Sequence, residues 1–324
     1  MSTPAMLCAV DFSDCSKRAL RYAASLSAQF GAHLTVLHVV DPVLVSEAAL
    51  HQMEVFSDDG RAELHQFVDN ALSQASLRPG PVELMLTMGS PGWDIVSVSN
   101  EMNVDLIVIG THGSTGFRRA LLGSTARGVL RRARKPVLTV PLSGNRQTDI
   151  ESTLRTSGAV LTPVDFSSES KAAVKAAAVV ARTMKRQLLL LHVASPSSSG
   201  ATWRDRSAVL GGRTVLGNSS TLLADLATSV DSDLDVHNRL AIGDPAEEIV
   251  RVAGEVAAGV IVMRLRHMTA RMLGARAGSV AHRVLCLAPT PILALPPGPP
   301  RGAQTATLAG VGAHAFNAPT GSAV

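Results

Sequence analysis

The sequence has few aromatic side chains and little net charge. Aromatic residues make up 3% of the 324 residues, whereas hydrophobic residues make up 46%. A core with so few rings has to be built from Ala, Val, Leu and Ile, which favours helices layered on a parallel sheet. The formal net charge of +4 is too small to indicate a dedicated nucleic-acid-binding protein, so no DNA partner is expected.

Cysteines and long apolar runs are also scarce. The three cysteines are Cys8, Cys15 and Cys286, a set that predicts neither a disulfide framework nor a paired metal site and that favours a reducing compartment. The first residues lack the basic flank and apolar core of a signal peptide. No apolar run reaches the roughly 18 residues that a membrane span needs. We therefore expect a cytoplasmic protein that does not bind a membrane.

The chain repeats itself. AVDFS at 9–13 recurs as PVDFS 154 residues later, and LHVV at 37–40 recurs as LHVA at the same offset. PVLTVP at 136–141 recurs as PILALP at 291–296, now 155 residues later, so the second copy contains one extra residue before its last strand. A register kept over this length indicates two tandem copies of one structural unit.

Each copy is predicted to be an α/β domain with a doubly wound, five-stranded parallel sheet. Short runs rich in Val, Leu and Ile predict buried strands in the first copy at about 6–10, 33–40, 82–88, 104–109 and 136–140. Apolar residues recur at helical spacing between these runs, and alternating strands and helices imply right-handed crossovers. The predicted bounds are 1–142 and 159–297 for the domains, 143–158 for a polar linker and 298–324 for a disordered tail rich in Gly, Ala and Pro.

A glycine-rich loop follows the fourth predicted strand. Its pattern is Gly110-x2-Gly113-x9-Gly123-Ser124, with Ser124 opening a helix. Glycines allow a turn with positive φ and close approach of a ligand, and a helix start attracts anions. The loop is neither a Walker P-loop nor a Rossmann fingerprint, because it lacks the Gly-Lys-Ser/Thr of the first and the position and spacing of the second. From spacing alone, a plain turn and a ligand site are equally open.

The glycine loop, together with AVDFS on the first strand and LHVV on the second, resembles the ATP-binding kind of universal stress protein. The resemblance covers roughly 4–142 and 156–297. It implies that the adenosine pocket is lined by Ala9, Val10 and Asp11, with Val39 meeting the adenine through its backbone. It implies further that the ribose and phosphates are bordered by Ile109, Gly110, His112 and Gly113, and that the phosphate oxygens are bound by Gly123, Ser124, Thr125 and Ala126. The family commonly has Pro where Ala9 stands and often has Thr where Ala126 stands.

The second copy departs from this pattern in its loop. At an offset of 154, Gly110 and Gly113 become Arg264 and His267. At an offset of 155 they become Leu265 and Met268. Both glycines are lost either way, which predicts a degenerate second site. The alternative, that Arg264, Arg266 and Arg271 bind another anion, stays open.

The resemblance implies a cytoplasmic stress-response protein that binds ATP in its first domain and acts as a nucleotide-dependent switch for an unknown protein partner. Mg²⁺ is left open, since Asp11 is a single carboxylate. The alternatives are a slow ATPase or nucleotidyl-transfer enzyme on the same fold, with His112 as a conceivable base, and a scaffold that needs no nucleotide. The final strands at 136–141 and 291–296 are predicted to pair in an internal pseudo-dimer, as they commonly do between subunits in this family.

Overall fold

The structure is a computed structural model that describes residues 3–42, 58–73, 80–112, 122–142, 158–195, 218–230, 233–265 and 279–297. The chain divides into two compact units that adjoin in sequence near residue 156. The predicted tail and nearly all of the predicted linker lie outside the described residues, so their bounds stay predictions.

The first unit contains a five-stranded parallel sheet. Its strands are β1 (Ala5–Val10), β2 (His33–Val40), β3 (Val82–Met88), β4 (Leu106–Gly110) and β5 (Val137–Val140). They lie in the order β3-β2-β1-β4-β5, and every neighbouring pair is parallel. The predicted fold class is therefore confirmed, and the predicted strands differ from the observed ones by two residues or fewer at each end.

Four helices lie between these strands among the described residues. They are α1 (Asp14–Phe30), α2 (Asp58–Ser73), α3 (Pro91–Glu101) and α4 (Ser124–Arg132). Helix α1 packs with α2, and α3 packs with α4. From β1 the chain adds β2 and β3 on one side, and it then returns to add β4 and β5 on the other side of β1. Right-handed crossovers therefore place the two helix pairs on opposite faces of the sheet. The direction changes between β1 and β4, and ligands of doubly wound sheets bind at such a point.

Helix α1 illustrates how local sequence sets these elements. Its N-cap is Ser13, whose side chain accepts a hydrogen bond from the backbone N–H of Ser16. Its C-cap is Gly31, which adopts φ of 61°, a conformation that glycine enters without a steric penalty. Between the caps, Ala19, Tyr22 and Ala23 are buried against the sheet.

The second unit repeats the first, strand for strand. Its elements are β6 (Val160–Pro163), α5 (Ser168–Thr183), β7 (Leu188–Ala194), a helical stretch at 218–228, β8 (Val236–Ile242), α6 (Pro245–Glu255), β9 (Val260–Arg264), α7 (Val280–Leu287) and β10 (Ile292–Leu295). The strand order is β10-β9-β6-β7-β8, and each neighbouring pair is parallel. This equivalence confirms the tandem repeat.

The packing between the last two helices differs between the two units. In the first unit α3 and α4 cross at Gly92 and Gly128, where a Cβ added to Gly128 would lie 3.1 Å from the Cα of Gly92. In the second unit Arg283 of α7 forms ion pairs with Asp244, the N-cap of α6, at 2.6 Å and with Glu247 at 3.3 Å. The α3–α4 crossing therefore depends on two glycines that have no side chain, whereas the contact between α6 and α7 contains partly exposed ion pairs.

We expect Gly128→Leu to lower the free energy of unfolding by about 1–3 kcal/mol, because a larger side chain would force α3 away from α4. Gly254→Leu in α6 is the matched control, since a Cβ added there has no neighbour within 4 Å. The control should be neutral or gain up to about 1 kcal/mol, since leucine has the higher helix propensity. Urea unfolding of both variants measures the difference, and equal effects would contradict this account of the crossing.

Candidate functional site

The turn after β1 is closed by its own side chains. The Asp11 carboxylate accepts hydrogen bonds from the backbone N–H of Ser13 at 3.2 Å and from its hydroxyl at 2.5 Å. Phe12, between them, adopts φ of 61°. Such a left-handed conformation is uncommon for a bulky residue and marks a tight turn or a strained segment. The turn therefore holds Asp11 at the carboxyl end of the sheet, where the resemblance places it.

Aromatic rings support this turn. The Phe12 ring lies 4.3 Å from the His38 ring and 5.3 Å from the Phe67 ring of α2, measured between centroids. The His38 Nδ1 atom lies 2.8 Å from the carbonyl oxygen of Val10, which fixes the ring across β1 and β2. Phe12 and His38 are site residues that were not predicted from the sequence. The signal that could have found them is their recurrence in the second copy as Phe166 and His192.

The strand residues of the predicted pocket are brought together by register. Ala9 of β1 lies opposite Ile109 of β4 in the ladder. The ladder between β1 and β2 ends where Val10 lies opposite His38, so Val39 follows immediately beyond it. Val10, Val39 and Ile109 are buried, at 5%, 8% and 3% exposure. They can therefore meet a ligand only through backbone atoms or a small part of the side chain.

The glycine loop is closed at its base by backbone hydrogen bonds. The N–H of Thr111 donates to the carbonyl of Val140 at 3.1 Å, which continues the β4–β5 ladder. The N–H of Gly123 donates to the carbonyl of Thr111 at 2.8 Å. In addition, Arg127 of α4 donates from Nη2 to the carbonyl of Leu122 at 3.0 Å. These bonds place the end of β4 beside the start of α4; Gly113 lies outside the described residues.

The N-terminus of α4 has no side-chain cap. Its N-cap is Gly123, which cannot supply one, and the first turn contains no acidic residue. Ser124 and Thr125 are exposed, whereas the Ala126 side chain is buried. The first N–H groups of a helix have no partner within it and carry the positive end of its dipole, so they attract an anion. Ala126 can contribute only its backbone N–H, since its methyl group lies in the core.

The role of Gly110 differs from the sequence prediction. The positive-φ glycines among the described residues are Gly31, Gly89 and Gly243, so the left-handed turn expected at Gly110 and at Gly123 is wrong. A Cβ on Gly110 would instead lie 2.9 Å from the Cys15 sulfur and 3.1 Å from the Cys15 carbonyl carbon. Glycine is needed here because the end of β4 packs directly against the first turn of α1.

His112 follows at the start of the loop. Burial lowers its pKa below the ordinary value of 6.5, so the imidazole is neutral at neutral pH. Its Nδ1 atom lies 2.8 Å from the Thr111 hydroxyl oxygen, while its Nε2 atom is buried without a hydrogen-bond partner among the described residues. A buried polar atom without a partner is costly, so Nε2 is suited to hydrogen bonding with a ligand. This arrangement favours a hydrogen-bonding role over that of a charged group.

The second unit keeps the turn after its first strand. The Asp165 carboxylate accepts from the backbone N–H and hydroxyl of Ser167 at 3.1 and 2.5 Å. Phe166 has φ of 59°, and its ring centroid lies 4.6 Å from that of His192. The Nδ1 atom of that histidine lies 2.7 Å from the carbonyl oxygen of Val164. The nucleoside side of the predicted pocket is thus similar in both units.

The phosphate side of the second unit is changed. Arg264 lies opposite Leu295 in the β9–β10 ladder, as Gly110 lies opposite Val140. The offset of 154 therefore holds through this strand, and Arg264 occupies the position of Gly110. At the following helix Ser279 is the N-cap of α7, and its hydroxyl accepts from the backbone N–H of His282 at 3.3 Å. That N–H is no longer available to an anion.

No group of three or more His, Cys, Asp or Glu side chains is placed to hold a metal ion among the described residues. No helix in this part of the chain combines the length and the hydropathy that crossing a membrane requires.

Comparison with known proteins agrees with the repeat. The profile of the universal stress protein family matches residues 4–141 and 157–296. A universal stress protein of Mycolicibacterium smegmatis is 27% identical over 301 residues, covering 90% of this chain and 97% of the relative. One of Bacillus subtilis is 32% identical over 143 residues, covering 42% of this chain and 97% of the relative. The crystal structure of a universal stress protein from Archaeoglobus fulgidus superposes with a TM-score of 0.62 at 22% identity, over 91% of this chain and 96% of the other.

The packing of Gly110 predicts a loss of stability that does not depend on any ligand. Gly110→Ala should lower the free energy of unfolding by about 1–3 kcal/mol, because the new methyl group overlaps the first turn of α1. Adding Cys15→Ala should recover part of the loss, since it removes the sulfur but leaves the backbone of residue 15 in place. Urea unfolding without nucleotide checks both effects. Unchanged stability of the single variant would contradict the contact.

Proposed function

Because the chain belongs to the universal stress protein family, we propose that its first unit binds ATP and acts as a nucleotide-dependent switch in a stress response. The observation that carries this proposal is the backbone hydrogen bonding that closes the base of the glycine loop. The hydrogen bond from Gly123 to Thr111 holds the end of β4 beside the uncapped N-terminus of α4. An anion placed there meets free N–H groups from the helix start.

The groups around this point match the parts of a nucleotide. The N–H groups of Ser124, Thr125 and Ala126 and the two exposed hydroxyls would bind phosphate oxygens. His112 would donate or accept one hydrogen bond through Nε2, which has no partner among the described residues. The turn at Asp11 and the backbone at Val39 would hold the nucleoside on the other side of the point between β1 and β4 where the strand order changes direction.

ATP binding would change the surface of the protein through the loop. The backbone hydrogen bonds at the base of the loop fix the point at which the phosphates would bind. A ligand bound there would stabilise the arrangement of the protein for which it has the higher affinity. A partner that recognises this arrangement would then bind according to the nucleotide state.

The second unit would act as a structural partner without a triphosphate site. Arg264 fills the position that requires glycine in the first unit, and the Ser279 hydroxyl accepts the N–H of His282. Both changes reduce the space and the donors that a row of phosphates needs. We therefore propose one nucleotide site for each chain.

Titration calorimetry of the pure chain should show one ATP bound per chain. Ser124→Ala should weaken binding about tenfold or more, since it removes a hydroxyl that would bond to a charged phosphate. Ser279→Ala is the matched control: it should cost about 1 kcal/mol of stability through loss of the helix cap while leaving the ATP affinity unchanged. Two equivalent sites per chain would contradict the proposal, and steady release of phosphate would favour the slow ATPase instead.

The pairing of the final strands at 136–141 and 291–296 stays a prediction. If β5 has this role, residues 1–142 produced alone should form a dimer, because an apolar edge strand without its partner pairs with a second copy. The full chain would be the comparison, with its two final strands in one molecule. Sedimentation measures both masses. A monomeric 1–142 fragment that is folded by circular dichroism would refute the internal pseudo-dimer.

A further inference from the structure

Cys15 lies where α1, β4, β5 and the glycine loop meet. It is the second residue of α1 and is 1% exposed. Its thiol donates a hydrogen bond to the carbonyl of Val140 at 3.3 Å. The sulfur also lies directly beside Gly110. The Cβ of any other residue at position 110 would come too close to it. One side chain thus contacts the ends of both strands on which the loop base is built.

The sulfur also contacts the first residues of the loop. Burial raises the pKa of Cys15, so it is a neutral thiol, while hydrogen bonds from the Thr111 and His112 backbones and the Thr111 side chain act in the opposite direction. These contacts hold the sulfur against the residue whose imidazole Nε2 atom is buried without a partner among the described residues. A change of the side chain at position 15 would therefore act first on Thr111 and on the backbone of His112.

The second unit has a different pair at the same place. Glu169 is the second residue of α5, as Cys15 is of α1, and Arg264 ends β9 as Gly110 ends β4. The Arg264 side chain is half-buried, its Nε atom has no hydrogen-bond partner among the described residues, and the Glu169 carboxylate is its neighbouring charge. A small neutral pair in one unit is thus replaced by a larger charged pair in the other.

The two pairs have opposite consequences for an anionic ligand. Cys15 and Gly110 are small, pack closely against each other at the end of β4 and add no charge. The Glu169 carboxylate offsets the positive charge of Arg264, so the pair offers no net attraction to phosphate. Arg264 also adds a long side chain at a position that otherwise has none. The fold itself accepts both pairs, since the strand order is equivalent in the two units.

We propose that Cys15 is a positioning residue for phosphate binding in the first unit, and that the pair Glu169–Arg264 removes phosphate binding from the second. This inference rests on the proposed ATP site. We expect the two pairs to affect phosphate binding and to leave nucleoside binding unchanged. The reason is that the turns at Asp11 and Asp165 and the rings behind them have equivalent geometry in both units.

The test transfers the second unit's pair into the first. The full chain carrying Cys15→Glu and Gly110→Arg together is titrated with ATP and, separately, with adenosine. We expect ATP to bind about a hundredfold more weakly and adenosine to stay within about threefold of the parent. Glu169→Gln in the second unit is the control, which should leave the ATP affinity of the first unit unchanged.

Two single variants keep the test informative if the double variant does not fold. Cys15→Ser retains a donor of similar size for the Val140 carbonyl and should keep the ATP affinity within about threefold. Cys15→Val replaces the thiol with a bulkier side chain that has no donor, and it should weaken ATP binding by about tenfold, again with little effect on adenosine.

The outcomes separate this inference from the ATP site itself. A parent chain that binds no ATP would refute the proposed function, and the inference with it. A parent that binds ATP, with a folded double variant of unchanged ATP affinity, would refute the inference alone. Equal losses for ATP and adenosine would show that residue 15 supports the fold and does not position the phosphates.

Discussion

The first unit's site is built on the close approach between the end of β4 and the first turn of α1. Because Gly110 has no side chain, β4 can end against Cys15. The next residue continues the ladder to Val140, as Leu265 continues the ladder to Leu295 in the second unit. That ladder position fixes Thr111, whose carbonyl accepts the N–H of Gly123 and so sets where α4 begins. Thr111 therefore joins the end of β4 to the start of α4, and His112 follows it directly in the chain.

The second unit shows that the fold does not require this contact. Arg264 ends the equivalent strand, and the sheet keeps its order and register. The stability of the unit comes from aliphatic side chains such as Leu161, Leu188 and Leu190, which are fully buried in its sheet. A duplicated domain can therefore lose the geometry of a binding site without losing its core, because the two depend on different residues.

The sequence predicted the strands and the repeat well because both depend on local pattern. Runs such as HLTVLHVV in β2 are short, apolar and bounded by turn residues, and Ser124 does begin a helix. The role of Gly110 could not be predicted, because it depends on contact with Cys15, which lies on another element. The same holds for the stacking of Phe12 on His38. The position of the extra residue in the second copy could not be predicted either, because offsets of 154 and 155 fitted the loop sequence equally well. The β9–β10 ladder was needed to show that the extra residue comes after β9.

The serines that follow the last loop glycine show why a surviving motif is weak support for a surviving function. Both helices end at equivalent alanines, Ala133 and Ala288. The N-cap of the first is Gly123, with φ of −56° and ψ of 151°, whereas the N-cap of the second is the serine itself, Ser279, with −54° and 152°. Starting the helix one residue later turns an exposed hydroxyl into a cap that bonds to its own helix. The letters Gly-Ser are retained, but the N–H donors that give them a role in anion binding are partly used within the chain.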